Sequence, residues 1–197
     1  MTVIALPNTF RPESFSMRLE TNERAFASPY GGSEQVLDMG NDRWMISLTL
    51  PRGPQEHAAR NEAFLNALRG QVNTCNLWHM RQRAPRGTMR GAPVAWGTSA
   101  GSDTLNISAN VGGVTLLAGV MIGVGDLLLQ IAEDCVADGG GLLQTKLVNR
   151  LRHTVVASTP VIWDRPTAQF RKVSKASVQY FPGYAESVPI DFVEAIS

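Results

Sequence analysis

The chain has 197 residues, enough for one domain with a sizeable core or two small lobes sharing one, and too few for a third domain. Hydrophobic residues make up 44% and charged residues 18%, too apolar a balance for a disordered chain. The net charge of +1 argues against a generic nucleic-acid binder, which carries a clear basic excess.

Taken in order, Thr2 to Leu6 is a short β-prone segment ended by Pro7. Phe15 to Glu20 alternates apolar and polar residues at period two, the pattern of a half-buried strand. Ala27-Ser28-Pro29-Tyr30-Gly31-Gly32 is a turn cluster, and Glu34 to Met39 a second short strand. Arg43 to Leu50 puts Trp44, Ile46, Leu48 and Leu50 on one face, and Pro51 stops it. A single α-helix is expected at about residues 54–69. Pro54 suits its first position, Arg69 its last turn and Gly70 its stop. Its apolar stripe is Phe64, Leu65 and Leu68; about 16 residues at about 1.5 Å each give a rod of about 24 Å, enough to cover one face of a sandwich.

Val72 to Met80 reads as a strand, followed by a loop from Arg81 to Pro93. Short strands continue at Val94–Trp96, Thr104–Ser108, Val114–Leu117, Val155–Val156, Val161–Trp163, Ala168–Val173 and Ser177–Tyr180. Between them Gly119 to Arg152 forms a β unit. Leu127 to Ile131 is a buried strand, Asp138 to Gly141 supplies residues that tolerate positive φ, and Leu143 to Val148 is the return strand. Such spacing predicts a mainly β, antiparallel, sandwich- or barrel-like domain with one flanking helix. It divides most naturally at the loop into lobes of about 1–80 and 92–181, and residues 182–197, with two prolines and little pattern, read as a C-terminal arm.

Two cysteines, Cys75 and Cys135, make neither a disulfide framework nor a zinc site, and both read as buried thiols. The start MTVIALPNTF lacks the charged beginning and apolar run of a signal peptide, and no apolar run approaches the ~20 residues that span a bilayer. Synthesis and folding in a cytoplasm, without membrane insertion, are expected.

Few residues carry chemistry. Gly97-Thr98-Ser99-Ala100-Gly101 matches the G-x-S-x-G nucleophile elbow, but the strand-like stretch Ser102 to Ser108 stands where the elbow requires a helix. Gly119, Gly123 and Gly125 lack the following helix and the Gly-Lys-Ser/Thr of a phosphate loop. His57, His79 and His153 are dispersed, and Asp134 and Asp138 do not have calcium-loop spacing, so no metal or cofactor site is assigned. The tryptophans Trp44, Trp78, Trp96 and Trp163 are not interleaved with basic residues as an RNA platform would be, and suit a core or a subunit interface. Arg81, Arg83, Arg86 and Arg90 cluster in one loop, in a chain with only three lysines; arginine suits planar interface contacts.

The order of these signals resembles the distal tail (tail-tip) proteins of long-tailed bacteriophages and gene transfer agents. The matching residues are Ser28-Pro29-Tyr30-Gly31-Gly32 with Gln35, Arg43-Trp44 to Leu50-Pro51, and Ala67-Leu68-Arg69-Gly70 with Asn73. Pro85-Arg86-Gly87, Gly91 to Gly97, Gly125-Asp126, and Ala137-Asp138-Gly139 leading to Leu151-Arg152 extend the match to about Val173. Val148-Asn149-Arg150 departs from the pattern by lacking the proline that often precedes the Leu-Arg pair. The resemblance implies a structural virion protein without catalysis, assembled as a ring, a hexamer, at the tail tip. The ring would join the tail tube protein to the baseplate hub or tail fibre proteins and provide a conduit for DNA, with no sequence-specific nucleic-acid binding. Arg81, Arg83, Arg86, Arg90 and the turn Gly139, Gly140 and Gly141 are the candidate contacts between subunits or rings. Two alternatives stand beside it: another β-rich virion component, for head completion or capsid decoration, and a serine hydrolase using Ser99.

Overall fold

The computed structural model describes residues 2–27 and 31–196. The turn residues Ser28, Pro29 and Tyr30 named above lie outside the described residues. The structure is mainly antiparallel β with one helix, its sheets forming a curled half-barrel.

In chain order the elements are β1 (Ser14–Glu20), β2 (Glu23–Ala27), β3 (Glu34–Asp38), β4 (Arg43–Leu50), α1 (Gln55–Ala67), β5 (Cys75–Trp78) and β6 (Val94–Ala95). There follow β7 (Thr104–Ser108), β8 (Thr115–Leu116), β9 (Met121–Val124), β10 (Leu127–Gln130), β11 (Cys135–Val136) and β12 (Leu142–Lys146). The last are β13 (Thr159–Ile162), β14 (Thr167–Lys172), β15 (Tyr180–Phe181), β16 (Tyr184–Ala185) and β17 (Val188–Glu194).

Two sheets dominate. A five-stranded sheet runs β1-β4-β17-β14-β5, and a six-stranded sheet runs β10-β9-β13-β6-β7-β12. Each has its own core. The first gathers the inward face of β4 (Trp44, Ile46, Leu48, Leu50), the helix stripe Phe64, Leu65 and Leu68, and Ile190 and Phe192 of β17. The second takes its buried residues from the stretch Met89 to Val161, including Leu105, Ile107, Leu116 and Leu143, with Trp163 packed against it.

The hairpin β9–β10 is the partition between them. Met121 and Leu128 face the first core, while Ile122, Val124, Leu127 and Leu129 face the second. Burial on both faces is why this segment reads as a continuous apolar run without alternation. The Trp44 indole N–H donates to the Leu128 carbonyl at 2.8 Å and ties the sheets together. Gly123 lies inside β9, opposite Leu128 of β10 on one side and Ile162 of β13 on the other, so this glycine is part of the strand and not an interruption.

α1 ends as its sequence requires. Arg69 and Gly70 both adopt positive φ, 48° and 68°, and the Asn73 side-chain amide donates to the Ala67 carbonyl at 2.9 Å. The buried Lys172 ammonium donates to the Leu65 carbonyl at 3.1 Å, completing a terminus that would otherwise leave that acceptor in an apolar setting.

Several expectations are corrected. Residues 182–197 are not an arm: β17 lies in the middle of the five-stranded sheet, between β4 and β14. Pro189 is tolerated there because β14 pairs with β17 only from Phe192 onward, so the missing N–H falls where no second ladder exists. β14 also belongs to this first sheet, although its residues fall within 92–181. The partner of Leu127–Gln130 is β9, through the turn Gly125-Asp126; β12 pairs with β7, and the chain just after it meets the end of β10 at the bridge Ile131–Leu147, where the Val148 N–H donates to the Gln130 carbonyl at 2.9 Å and the Ala132 N–H to the Lys146 carbonyl at 2.8 Å. Val3, Val155 and the stretch 177–179 do not form full strands: Val3 and Val155 make single bridges, to Thr74 and Thr98. Glu23–Phe26, to which the sequence assigns no element, form β2 together with Ala27.

Candidate functional site

β1 and β4 form a long ladder, from Ser14 opposite Thr49 to Glu20 opposite Arg43. The chain between them continues as a second ladder, β2–β3, from Glu23 opposite Asp38 to Ala27 opposite Glu34. The base is packed: β1 alternates exposed and half-buried residues, with Phe15, Met17 and Leu19 against the first core. In β2 and β3 every residue is exposed, and among the described residues the two strands pair only with each other. Five further residues at about 3.3 Å each carry this arm roughly 17 Å past the ladder that roots it.

The root is held by a Met39 N–H donating to the Asn22 carbonyl at 2.9 Å and by an Arg150–Asp38 ion pair at 3.6 Å. One face of the arm presents Arg24, Phe26, Gln35 and Leu37. The other presents Ala25 and Val36, flanked by the carboxylates Glu23, Glu34 and Asp38. Phe26 is 55% exposed and Val36 60%.

At the opposite end of the β1–β4 ladder, a cleft of about 490 Å³ opens between the Asn8–Arg11 segment and the start of α1. Pro51, Pro54 and Ala58 give it apolar walls, and Arg11, Arg52 and Arg60 make it basic. Arg60 pairs with Glu56 at 2.7 Å, and the Arg52 guanidinium lies 3.5 Å over the ring of Tyr184, which stacks on Phe181.

Where the two sheets meet, Arg152 bridges to Glu194 of β17, whose carboxylate also accepts the Trp44 backbone N–H at 3.0 Å. Arg152 donates as well to the Asp42 carbonyl at 3.0 Å. Burial works against the Arg152 charge, but the hydrogen bond and charge of Glu194 outweigh it, and the guanidinium is held more firmly protonated than usual. His153 faces Asp126 at 2.9 Å across a neighbouring polar cleft of about 380 Å³. Among the described residues no group of three or more His, Cys, Asp or Glu could hold a metal ion. The junction is a clamp between sheets.

Of the residues singled out from sequence, the four arginines and the turn residues Gly139 and Gly140 lie on the surface. Arg81 donates to the Glu13 carbonyl at 3.1 Å, and Arg83 meets Asp164 at 3.4 Å. Arg86 donates to the Ala118 carbonyl at 2.5 Å; Arg90 donates to Met89 and lies over the Trp163 ring. All four are exposed, and each fastens its loop to the body. Gly139 and Gly140 are exposed, but Gly141 is buried at φ 81°, where a Cβ would come 2.7 Å from the Val111 nitrogen, so it packs turn against turn.

Ser99 leads into β7 rather than a helix, so the strand-turn-helix setting of an elbow is not formed. Cys75 is buried, its thiol pushed up to about 12 by desolvation, and Cys135 is half-buried with its thiol also raised, chiefly by burial. The arm was missed as a surface because Glu34–Met39 was read as an ordinary strand; the signal available was Phe26, Val36, Leu37 and Met39 in a segment without alternating polarity. Among the described residues no helix is long and apolar enough to cross a membrane. Compared with protein-family models the chain matches none, and no curated protein matches it in sequence.

Proposed function

We propose that the chain is a structural protein of a bacteriophage tail tip, forming a ring that joins the tail tube to hub or fibre proteins and leaves a conduit for DNA. The resemblance in residue order supplies the class, and the exposed arm β2–β3 is the observation that carries the self-assembly. An isolated two-stranded ladder is marginal in water, and apolar side chains exposed together on one mark a contact surface. A contact between unlike surfaces generates a closed ring when its rotation closes. The near-neutral charge is compatible with a lumen through which DNA must slide without sticking. In this reading the ring is a hexamer, and Arg81, Arg83, Arg86, Arg90 and the exposed Gly139-Gly140 turn are further candidate contacts.

The test is the mass of the purified protein together with its position in intact particles, labelled and imaged by electron microscopy. A multimer of ring mass and label at the distal end of the tail are expected. Label at the head–tail junction or over the capsid would replace the reading with a head-completion or decoration protein.

A further inference from the structure

We infer that the arm β2–β3 of one subunit seats its acidic face in the basic cleft beside α1 of the next copy of this chain. The inference rests on the ring reading above and names the contact that would close the ring.

The two surfaces match in layout. The acidic face of the arm has an apolar centre, Ala25 opposite Val36, with Glu23 toward the root and Glu34 toward the tip. Among the described residues neither glutamate makes an ion pair, whereas Asp38 is already engaged by Arg150. The cleft reverses the arrangement: Pro51, Pro54 and Ala58 provide apolar wall, and Arg11 and Arg52 supply positive charge with no ion-pair partner among the described residues. Apolar centre to apolar wall and carboxylate to guanidinium is the complementarity of a specific interface. The opposite face of the arm, with Arg24 beside Phe26, does not fit a basic rim.

Topology directs this contact outward. The arm leaves the β1–β4 ladder at Glu20 and Arg43, while Arg11 precedes the other end of β1 and Arg52 follows the other end of β4. Eight residues at about 3.3 Å place arm root and cleft roughly 26 Å apart, with the arm leading away. A chain cannot reach its own cleft by this route, but a second copy can. Unlike surfaces at opposite ends of one rigid ladder give the head-to-tail, heterologous contact that a ring requires.

The inference is tested by directed disulfide formation between two full-length variants in a Cys135→Ser background, Val36→Cys on the arm and Ala58→Cys in the cleft. Mixed and mildly oxidised, they are expected to give a cross-linked dimer that neither forms alone, and the double variant a ladder of multimers. Charge reversal provides a second arm. Glu23→Arg with Glu34→Arg, or Arg11→Glu with Arg52→Glu, should each lower assembly at least tenfold, and combining all four in one chain should restore it; circular dichroism confirms that each variant is folded. Rings that form without the Val36–Ala58 cross-link, or that link through Phe26→Cys instead, overturn this docking and leave the ring standing. A protein that neither cross-links nor assembles overturns the docking, and label away from the tail tip overturns the ring reading itself.

Discussion

Glu194 shows how one buried charge is made tolerable. Its carboxylate is 1% exposed, yet it receives the Trp44 backbone N–H and the Arg152 guanidinium, itself 13% exposed, so its acceptors are used by β4 and by the loop between β12 and β13. Desolvating both ions offsets much of their attraction, so the pair contributes little net stability, but removing one partner leaves the other stranded. Glu194→Gln is therefore expected to destabilise the fold by about 3–5 kcal/mol, read as a lowered urea midpoint. Adding Arg152→Met to that variant should recover part of the loss, because the stranded cation goes with it. A Glu194→Gln protein as stable as the parent would show that the pair is solvated in solution. Trp44 itself was legible from alternation along β4; Glu194, a carboxylate near the end of a proline-containing tail, was not, because its partners lie 42 and 150 residues away.

At the scale of elements, β17 carries the largest correction. Val188, Ile190 and Phe192 alternate as a half-buried strand should, but Pro182 and Pro189 speak locally for an extended, unpaired segment. The neighbours decide: β4 takes the strand along six residues and β14 along three, and the proline falls outside the second ladder. Ending the chain after Phe181 would remove three core side chains worth about 1.5–3 kcal/mol each and open the sheet at its centre. Against a total stability of about 5–15 kcal/mol, that truncation is expected to yield insoluble or unfolded protein, checked by circular dichroism and solubility. A true arm would come off without harm. The strands β1, β4 and β7 and the helix α1 were readable because each combines a clear periodicity with a turn residue at its end, and β3 and β10 because turn residues bound them; β9 was hidden by Gly123, which lies within the strand opposite Leu128 and Ile162.

At the scale of the molecule, the arm is separable from the body. None of its residues enters either core, and its root pair Arg150–Asp38 is an exposed one worth about 0–1 kcal/mol. Replacing residues 22–41 with a two-residue Asn-Gly turn, which suits the twist of a two-stranded ladder, is expected to leave a folded monomer with a melting temperature within a few degrees of the parent. Self-association should be lost, as measured by analytical ultracentrifugation. An unfolded product would mean that the arm is part of the fold, and an unchanged oligomer that assembly runs through another surface.

The sequence by itself determined the fold class, the position of the helix, most strands and the absence of a recognisable metal-ligand or phosphate-loop motif, because periodicity, capping and turn chemistry act within a few residues. It also placed the four arginines in one loop. Only the tertiary structure decided which strands pair, that one hairpin serves two cores, and that the last strand is central. The arginines turned out to fasten their loop to Glu13, Ala118 and Asp164, and exposed apolar side chains to gather on an arm at the far end of the β1–β4 ladder from a basic cleft. These are long-range facts: pairing, burial and charge complementarity depend on which distant segments meet, and no local pattern encodes that meeting.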